Sequence, residues 1–360
     1  MIVIRDKKYH YISAFNPENG QGIRSNVYDE DMKDTGIDPF MGSFPELLDV
    51  GIMGSCAHGK SGLCLMSGVQ CYQDGMNLSQ PDMTLEEYKR IIDQCRGRSF
   101  QVALGGRGDP DMHKDIIEIL KYSRENNVVP NFTTSGFGLR EELMPYIKQY
   151  CGAVAVSWYR NEYTQRAIAM FLSAGIRTNI HYCLSRSTID EAIAMVENRK
   201  YPEGINRIIF LLHKPVGLGT EANVLQADDE RVRRFFSLFN DASIADKAGF
   251  DSCSVPALLW CADKIRPECI EACEAGRFSA YISPDYRLYP CSFEKNPYFG
   301  LSLKDMSIEE AWNSDKFNEF RGRFKNRCHD CPKYKSCFGG CPVVPQITLC
   351  DNDFRKGAIV

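Results

Sequence analysis

The sequence predicts an α/β protein in two parts: a partial barrel of six strand–helix units, then a smaller cysteine-rich domain with a β-hairpin and a helix. Three observations carry this. From residue 47 to about residue 245, strand-like segments alternate with amphipathic helical stretches, the pattern of right-handed crossovers and a parallel sheet. At 360 residues the chain exceeds the size at which one core stops growing, so a second domain is expected. Sixteen cysteines fall largely into two blocks, one just after the first buried strand and one near the end.

Taken in order, the segment Tyr9–Ser25 reads as a hairpin with its turn near Asn19-Gly20. Leu47–Ser55 is the first buried strand, and Thr84-Leu-Glu-Glu87 is a capping box that opens a helix to Cys95. Further strands are expected near 99–105, 128–134, 152–158, 177–184 and 206–212. The helices following them fall at about 110–125, 139–150, 161–174, 187–198 and 228–245. The expected divisions are an N-terminal hairpin extension over 1–45, the barrel over 46–248 and the cysteine-rich domain over 249–360. In such barrels the chemistry sits on the loops at the C-terminal ends of the strands.

Composition narrows the function classes. Hydrophobic content of 44% and charge of 25% are those of an ordinary folded protein, and no run approaches eighteen apolar residues, so no membrane span is expected. A net charge of −4 without a long basic run argues against a nucleic acid as the main partner. The opening Met1-Ile-Val-Ile-Arg5-Asp6-Lys7 carries charges where a signal peptide needs an apolar stretch, so a cytoplasmic location is expected. The thiols are then ligands or reduced core residues.

The first block places Cys56, Cys64 and Cys71 within sixteen residues, on the loop after the first strand. Three thiolates leave an open coordination position, which suits an iron–sulfur cube whose unique iron holds a small molecule. Structural zinc prefers four protein ligands at tighter spacing, and His58 would be the fourth in that alternative. Leu104-Gly105-Gly106-Arg107-Gly108-Asp109-Pro110 ends the next strand, where glycines let the backbone approach a ligand closely. Asp109 before Pro110 also reads as a simple helix cap. Ser135 and Ser157 close the third and fourth strands, where serines commonly satisfy local backbone. Trp158, Tyr159, His181 and His213 are cavity-lining or packing residues, whereas Cys95, Cys151 and Cys183 read as inert buried thiols.

The second block runs from Cys273 through Tyr286 to Cys291, then Cys328-x2-Cys331-x5-Cys337-x3-Cys341, with Cys350 beyond. A pair of zinc sites is the alternative, since Cys-x2-Cys is also zinc's spacing. With the barrel and its own cysteine loop, these motifs resemble radical S-adenosylmethionine enzymes with a C-terminal SPASM domain, as in peptide and protein maturases. The resemblance covers roughly residues 46–350. Departures are plain: the cysteine intervals here are x7 and x6, where the family has x3 and x2, and Tyr72 follows the last cysteine instead of preceding it. Gly59, Gly62 and Gly68 would ease the longer turns. Gly-Gly-Arg-Gly-Asp-Pro replaces Gly-Gly-Glu-Pro, and Tyr286 replaces a turn glycine.

The resemblance implies three 4Fe-4S clusters and S-adenosylmethionine as cofactors. Cys56, Cys64 and Cys71 would hold the first cluster. Cys273, Cys291 and Cys341 with Cys269, or else Cys261 or Cys253 or no fourth residue, would hold auxiliary cluster I, and Cys328, Cys331, Cys337 and Cys350 auxiliary cluster II. Gly105, Gly106, Asp109, Ser135 and Ser157 would bind S-adenosylmethionine. The implied activity is reductive cleavage to a 5′-deoxyadenosyl radical, which takes hydrogen from a peptide, with reduced flavodoxin or ferredoxin as electron donor. The product would be a crosslinked, thioether-bridged or epimerised ribosomal peptide. Ser292 stands where the sulfatase-maturing branch has its aspartate base, so formylglycine formation is not expected. The segment before the first strand is too short for a fused leader-binding module, so a separate leader-binding protein or the barrel itself would read a leader. A small-molecule substrate and a non-catalytic zinc scaffold are the other two readings.

Overall fold

The computed structural model describes residues 1–266, 269–325, 328 and 330–350. Its backbone is a sheet of ten strands in the order β10-β9-β8-β7-β6-β5-β4-β11-β12-β13. Six of them, β4 (Leu47–Met53), β5 (Gln101–Gly106), β6 (Val129–Thr134), β7 (Val154–Ser157), β8 (Thr178–Leu184) and β9 (Arg207–Leu212), are the strands expected from periodicity. Neighbours among these six pair in parallel. β10 (Ala248–Phe250) adds a further parallel strand at the β9 edge.

Connections between them are helical: α1 (Leu63–Met66) and α2 (Leu85–Cys95) after β4, then α3 (Ile116–Glu125), α4 (Met144–Tyr150), α5 (Glu162–Ser173), α6 (Ile189–Glu197) and α7 (Glu230–Ser237). Thr84 and Glu87 cap α2 reciprocally, as the sequence reads. Two expected helices differ. The segment after Pro110 makes one 3-10 turn, and α3 begins only at Ile116. The His113 ring occupies the gap, held by Met83 O at 2.9 Å and the Asp115 amide at 3.1 Å. The stretch 228–245 divides into α7, a 3-10 turn at Leu238–Asn240 and α8 (Ala242–Ala245), the break falling where the Asp241 carboxylate caps the Ser243 amide.

Strand alternation sorts the two faces of the sheet. Val50, Ile52, Val102, Leu104, Phe132, Val156, Ile180, Leu184, Ile208 and Phe210 are buried in the main hydrophobic core with apolar residues of α2–α7, each such side chain contributing about 1.5–3 kcal/mol. The opposite, inner face carries Asp49, Gly105, Asn131, Thr133, Ser157, Asn179, His181 and Cys183, all half-buried. A polar, partly accessible inner face beside an apolar, helix-covered one is what a ligand-holding open barrel requires.

After β10 come α9 (Val255–Cys261), the hairpin of β11 (Ser279–Ile282) and β12 (Arg287–Tyr289), β13 (Leu301–Ser302), α10 (Ile308–Trp312), α11 (Asp315–Lys325) and α12 (Tyr334–Cys337). The hairpin does not stand apart: β11 runs parallel to β4, pairing Tyr281 with Asp49 and Ile282 with Val50. Tyr286 turns the hairpin at φ +63° with its side chain 2% exposed, so a packed aromatic occupies the place of a turn glycine. At the N-terminus β2 (Tyr11–Phe15) and β3 (Gly22–Arg24) pair across a turn containing Gly20, and β1 (Ile2–Asp6), not expected from sequence, completes a three-stranded sheet. Arg24 ties this sheet to the rest through ion pairs with Glu46, Glu271 and Glu274.

Candidate active site

The cysteine loop lies over the C-terminal end of the sheet and is fastened across it. The Ser67 hydroxyl donates to Tyr159 O at 2.9 Å beyond β7, and Arg160 reaches back to Ser67 O at 3.0 Å. On the far side Leu218 donates its amide to Cys71 O at 2.9 Å, and Thr220 donates to the Gln70 side chain at 3.1 Å. Cys56, Cys64 and Cys71 are all half-buried and lie close enough to bear on one another electrostatically. Burial pushes the Cys71 thiol up, while the backbone amides of Gly75 and Gln73 oppose that shift. A cation beside Cys71 would favour its thiolate, and a metal group held by the loop would supply one.

His58 stands inside the loop, with Nδ1 3.8 Å from Cys64 Sγ and Nε2 3.5 Å from Asp109 Oδ2. Asp109 does not act as a cap, for its side chain makes no capping bond. It accepts instead from the Ser135 amide at 3.0 Å and the Ser135 hydroxyl at 2.5 Å. His58, Asp109 and Ser135 form one buried chain beside Cys64, which the Tyr159 hydroxyl also reaches together with Ser157. Gly105 and Gly106 separate in role. A Cβ at Gly106, at φ +120°, would lie 2.3 Å from Met53 O, whereas one at Gly105 meets nothing within 4 Å. Gly106 is therefore required by the close approach of β4 and β5 at a register shift, and Gly105 is the position open to a ligand.

Of the cavity candidates, His181 faces inward 3.4 Å from the Thr133 hydroxyl, and burial lowers its pKa to about 4, so the imidazole is neutral. His213 instead holds its own loop, with Nε2 3.1 Å from Thr220 O. Trp158 packs against the core. Burial pushes Cys95 up to about 12, Cys183 up to about 11, and Cys151 higher still; Cys95 lies in the core and Cys151 packs against it, whereas Cys183 is on the half-buried inner face.

In the C-terminal part, Cys253 lies in hydrogen-bonding contact with Cys341, and the charges of Cys253 and Cys273 bear on Cys291. Cys269 is exposed, 4.0 Å from the Arg266 guanidinium. Of the three possible fourth members, Cys253 is the one beside Cys341 and electrostatically felt by Cys273 and Cys291, while Cys261 closes α9 against the main core; among the described residues no three such side chains are drawn together closely enough to hold a metal ion. Cys337 lies near Cys328 and Cys350, and Cys331 is one turn from Cys328. Backbone amides point at several of these sulfurs: Phe293 N at 3.5 Å from Cys291, Val344 N at 3.3 Å from Cys341, and Gly339 and Gly340 at Cys337. Amides directed at cysteine sulfur suit iron–sulfur ligation, since such bonds help set a cluster's potential.

An open parallel barrel with a three-cysteine loop at its mouth and a second, larger set of cysteines packed against one edge is the arrangement expected from the resemblance to radical S-adenosylmethionine proteins with an auxiliary iron–sulfur domain. Residues 273–332 match the SPASM iron-sulfur cluster-binding domain. The chain is homologous to maturases of this class: it is 24% identical over 304 residues to the mycofactocin maturase MftC of Mycobacterium tuberculosis, covering 77% of this chain and 75% of that protein. It is also 22% identical over 294 residues to the AdoMet-dependent heme synthase of Methanosarcina barkeri, covering 72% and 82%. Streptococcus suis SuiB, solved bound to its precursor peptide SuiA, shares the fold with a TM-score of 0.69 at 16% identity, over 97% of this chain and 98% of that one. The anSMEcpe structure with bound AdoMet aligns with a TM-score of 0.60 at 15% identity, over 82% and 89%.

Several inner-face groups were not singled out from sequence. Asp49 is a lone acid within an apolar strand, a pattern that could have flagged it, and burial, with Glu274 nearby, pushes its pKa up to about 6. Lys214, 5% exposed, donates to Asp251 at 2.6 Å and lies near Cys253 and Cys341. Arg107 and Lys295 meet at Gln73; they come from segments far apart in the chain, so no local pattern could join them.

Proposed function

We propose that this chain is a radical S-adenosylmethionine enzyme that takes a hydrogen atom from a peptide and thereby matures a ribosomally made peptide. The observation that supports the reading is the loop carrying Cys56, Cys64 and Cys71, strapped over the mouth of a parallel barrel, with Cys253, Cys273, Cys291 and Cys341 on the adjoining edge. Cys56, Cys64 and Cys71 would hold the first 4Fe-4S cluster. When bound, that group supplies the electron that cleaves S-adenosylmethionine to a 5′-deoxyadenosyl radical. Cys253 takes the place of Cys269 in auxiliary cluster I, and Cys328, Cys331, Cys337 and Cys350 would hold auxiliary cluster II.

The chain's own residues bind, orient and exclude water. Gly105 leaves room at the end of β5 for the methionyl part of S-adenosylmethionine, and Ser157 and Tyr159, at the end of β7 near Cys64, would contact the same molecule. Asp109, already held by Ser135 and facing His58, braces the cysteine loop. Electrons would come from reduced flavodoxin or ferredoxin, and the location would be cytoplasmic. Among the described residues no helix is long and apolar enough to cross a membrane.

Anaerobic purification with iron, sulfide and zinc counting, followed by an assay for 5′-deoxyadenosine, tests the reading. About twelve irons are expected, and replacing Cys56, Cys64 and Cys71 together by alanine should remove about four and abolish 5′-deoxyadenosine formation. Stoichiometric zinc with negligible iron would overturn it. The relative named as a heme synthase motivates a second reading, a non-peptide substrate, which wins if 5′-deoxyadenosine is made but no peptide is altered.

A further inference from the structure

Two cations face each other between Cys71 and Cys291 with no ion-pair partner among the described residues. Arg107, at the end of β5, donates Nε to Gln73 O at 3.2 Å; Lys295, in the loop after β12, donates Nζ to Gln73 Oε1 at 3.3 Å and to Ser292 O at 2.9 Å. No carboxylate of the described residues lies within 4.0 Å of either cation. A guanidinium has five N–H donors and an ammonium three, so among the described residues most of the Arg107 fork and one Lys295 proton have no hydrogen-bond acceptor. The two cations oppose each other's charge, while Cys291 and Cys71 favour that of Lys295, and the N–H donors left over are suited to an incoming anion.

The surroundings are shaped. Tyr72 and Phe293 pack at 4.6 Å between ring centroids, Lys295 lies 5.6 Å over the Tyr72 ring, and the Tyr281 hydroxyl accepts from the Gln73 side chain at 3.4 Å. Asp49 is the acid whose charge reaches Tyr72 and Tyr281, and it makes no ion pair here. Lys295 is exposed and Arg107 half-buried, so an incoming group can reach both. Gln73 comes from the cysteine loop, Arg107 from the barrel and Lys295 from the C-terminal domain, so the pair exists only when the three parts are assembled.

We propose that Arg107 and Lys295 form a carboxylate-binding subsite that seats an acidic group of the peptide substrate between the two cysteine sets. This rests on the peptide-maturase reading above. A guanidinium fork matches a carboxylate bidentately, and the aromatic walls of Tyr72 and Phe293 would exclude water around it. The carboxylate is either an acidic side chain or the chain terminus.

The test uses the full, iron-loaded chain under anaerobic conditions, titrated by calorimetry with three probes: N-acetyl-Gly-Glu-Gly-amide, N-acetyl-Gly-Gln-Gly-amide and N-acetyl-Gly-Gly-Gly with a free terminus. At least one carboxylate probe should bind about tenfold or more tighter than the glutamine probe, and the tighter of the two identifies the source. Lys295→Gln should remove most of that preference and Arg107→Gln with Lys295→Gln all of it, whereas Lys295→Arg should keep it. Equal binding of the three probes, or a preference that survives in the folded double variant, would overturn the proposal. So would a preference abolished by saturating S-adenosylmethionine, with the variants weakening S-adenosylmethionine by the same factor, since the cations would then hold its methionyl carboxylate. If Arg107→Gln fails to fold, Lys295→Gln at its exposed position carries the test. Failure of wild type to form 5′-deoxyadenosine would instead sink the radical reading, and it leaves the probe preference to be judged by itself.

Discussion

At the scale of single residues, neighbours that the sequence does not reveal assign the roles. Cys269 is nearest in sequence to Cys273, yet it is exposed beside Arg266, whereas Cys253 touches Cys341. Replacing Cys253 by alanine should therefore lower the iron content by about four, while Cys269→Ala should leave it unchanged; metal counting of both variants decides the matter, and the reverse pattern would restore Cys269. The two glycines of β5 make a second pair. Gly106→Val places a branched side chain at φ +120° and against Met53 O, so the variant should melt at a markedly lower temperature. A Cβ at Gly105 meets nothing within 4 Å, so Gly105→Val should keep its melting temperature while losing affinity for S-adenosylmethionine. Equal thermal stability of the two variants would refute the division.

At the scale of elements, Tyr286 shows how a packing term decides against a backbone term. A non-glycine residue in the left-handed region costs about 1–2 kcal/mol, and Tyr286 holds φ +63°. Its ring, however, is 2% exposed within the main core, and emptying a buried aromatic position costs about 3–5 kcal/mol. Tyr286→Gly should thus destabilise the protein by roughly 2–3 kcal/mol, although it restores the residue type usual in that turn. Denaturant titration measures this, and a stabilised variant would show that strain outweighs packing. The same balance explains which elements were legible in sequence. The strands β4 to β9 and the capped α2 were readable because alternation and capping are local. The delayed start of α3 was not, because the His113 ring bonds to Met83 O on another segment.

At the scale of the whole molecule, the C-terminal domain is continuous with the barrel. β11 pairs with β4 along four residues, and Glu271 and Glu274 hold Arg24 of the N-terminal sheet. A chain ending at Ala272 would leave the β4 edge unpaired, and an open apolar edge recruits other chains. Such a fragment should aggregate on expression; a soluble, monomeric fragment by light scattering would show that the barrel stands alone.

By itself the sequence determined the alternation of strands and helices, the two cysteine blocks and the class of chemistry they suit, because hydrophobic period and ligand spacing are properties of neighbouring residues. Only the tertiary structure places Cys253 beside Cys341, turns Asp109 to Ser135 and His58 instead of letting it cap a helix, and brings Arg107 to Lys295 at Gln73. Each of these is a contact between segments far apart in the chain. The cost of bringing such segments together is met by the core and the sheet as a whole, so no local pattern records which partners meet.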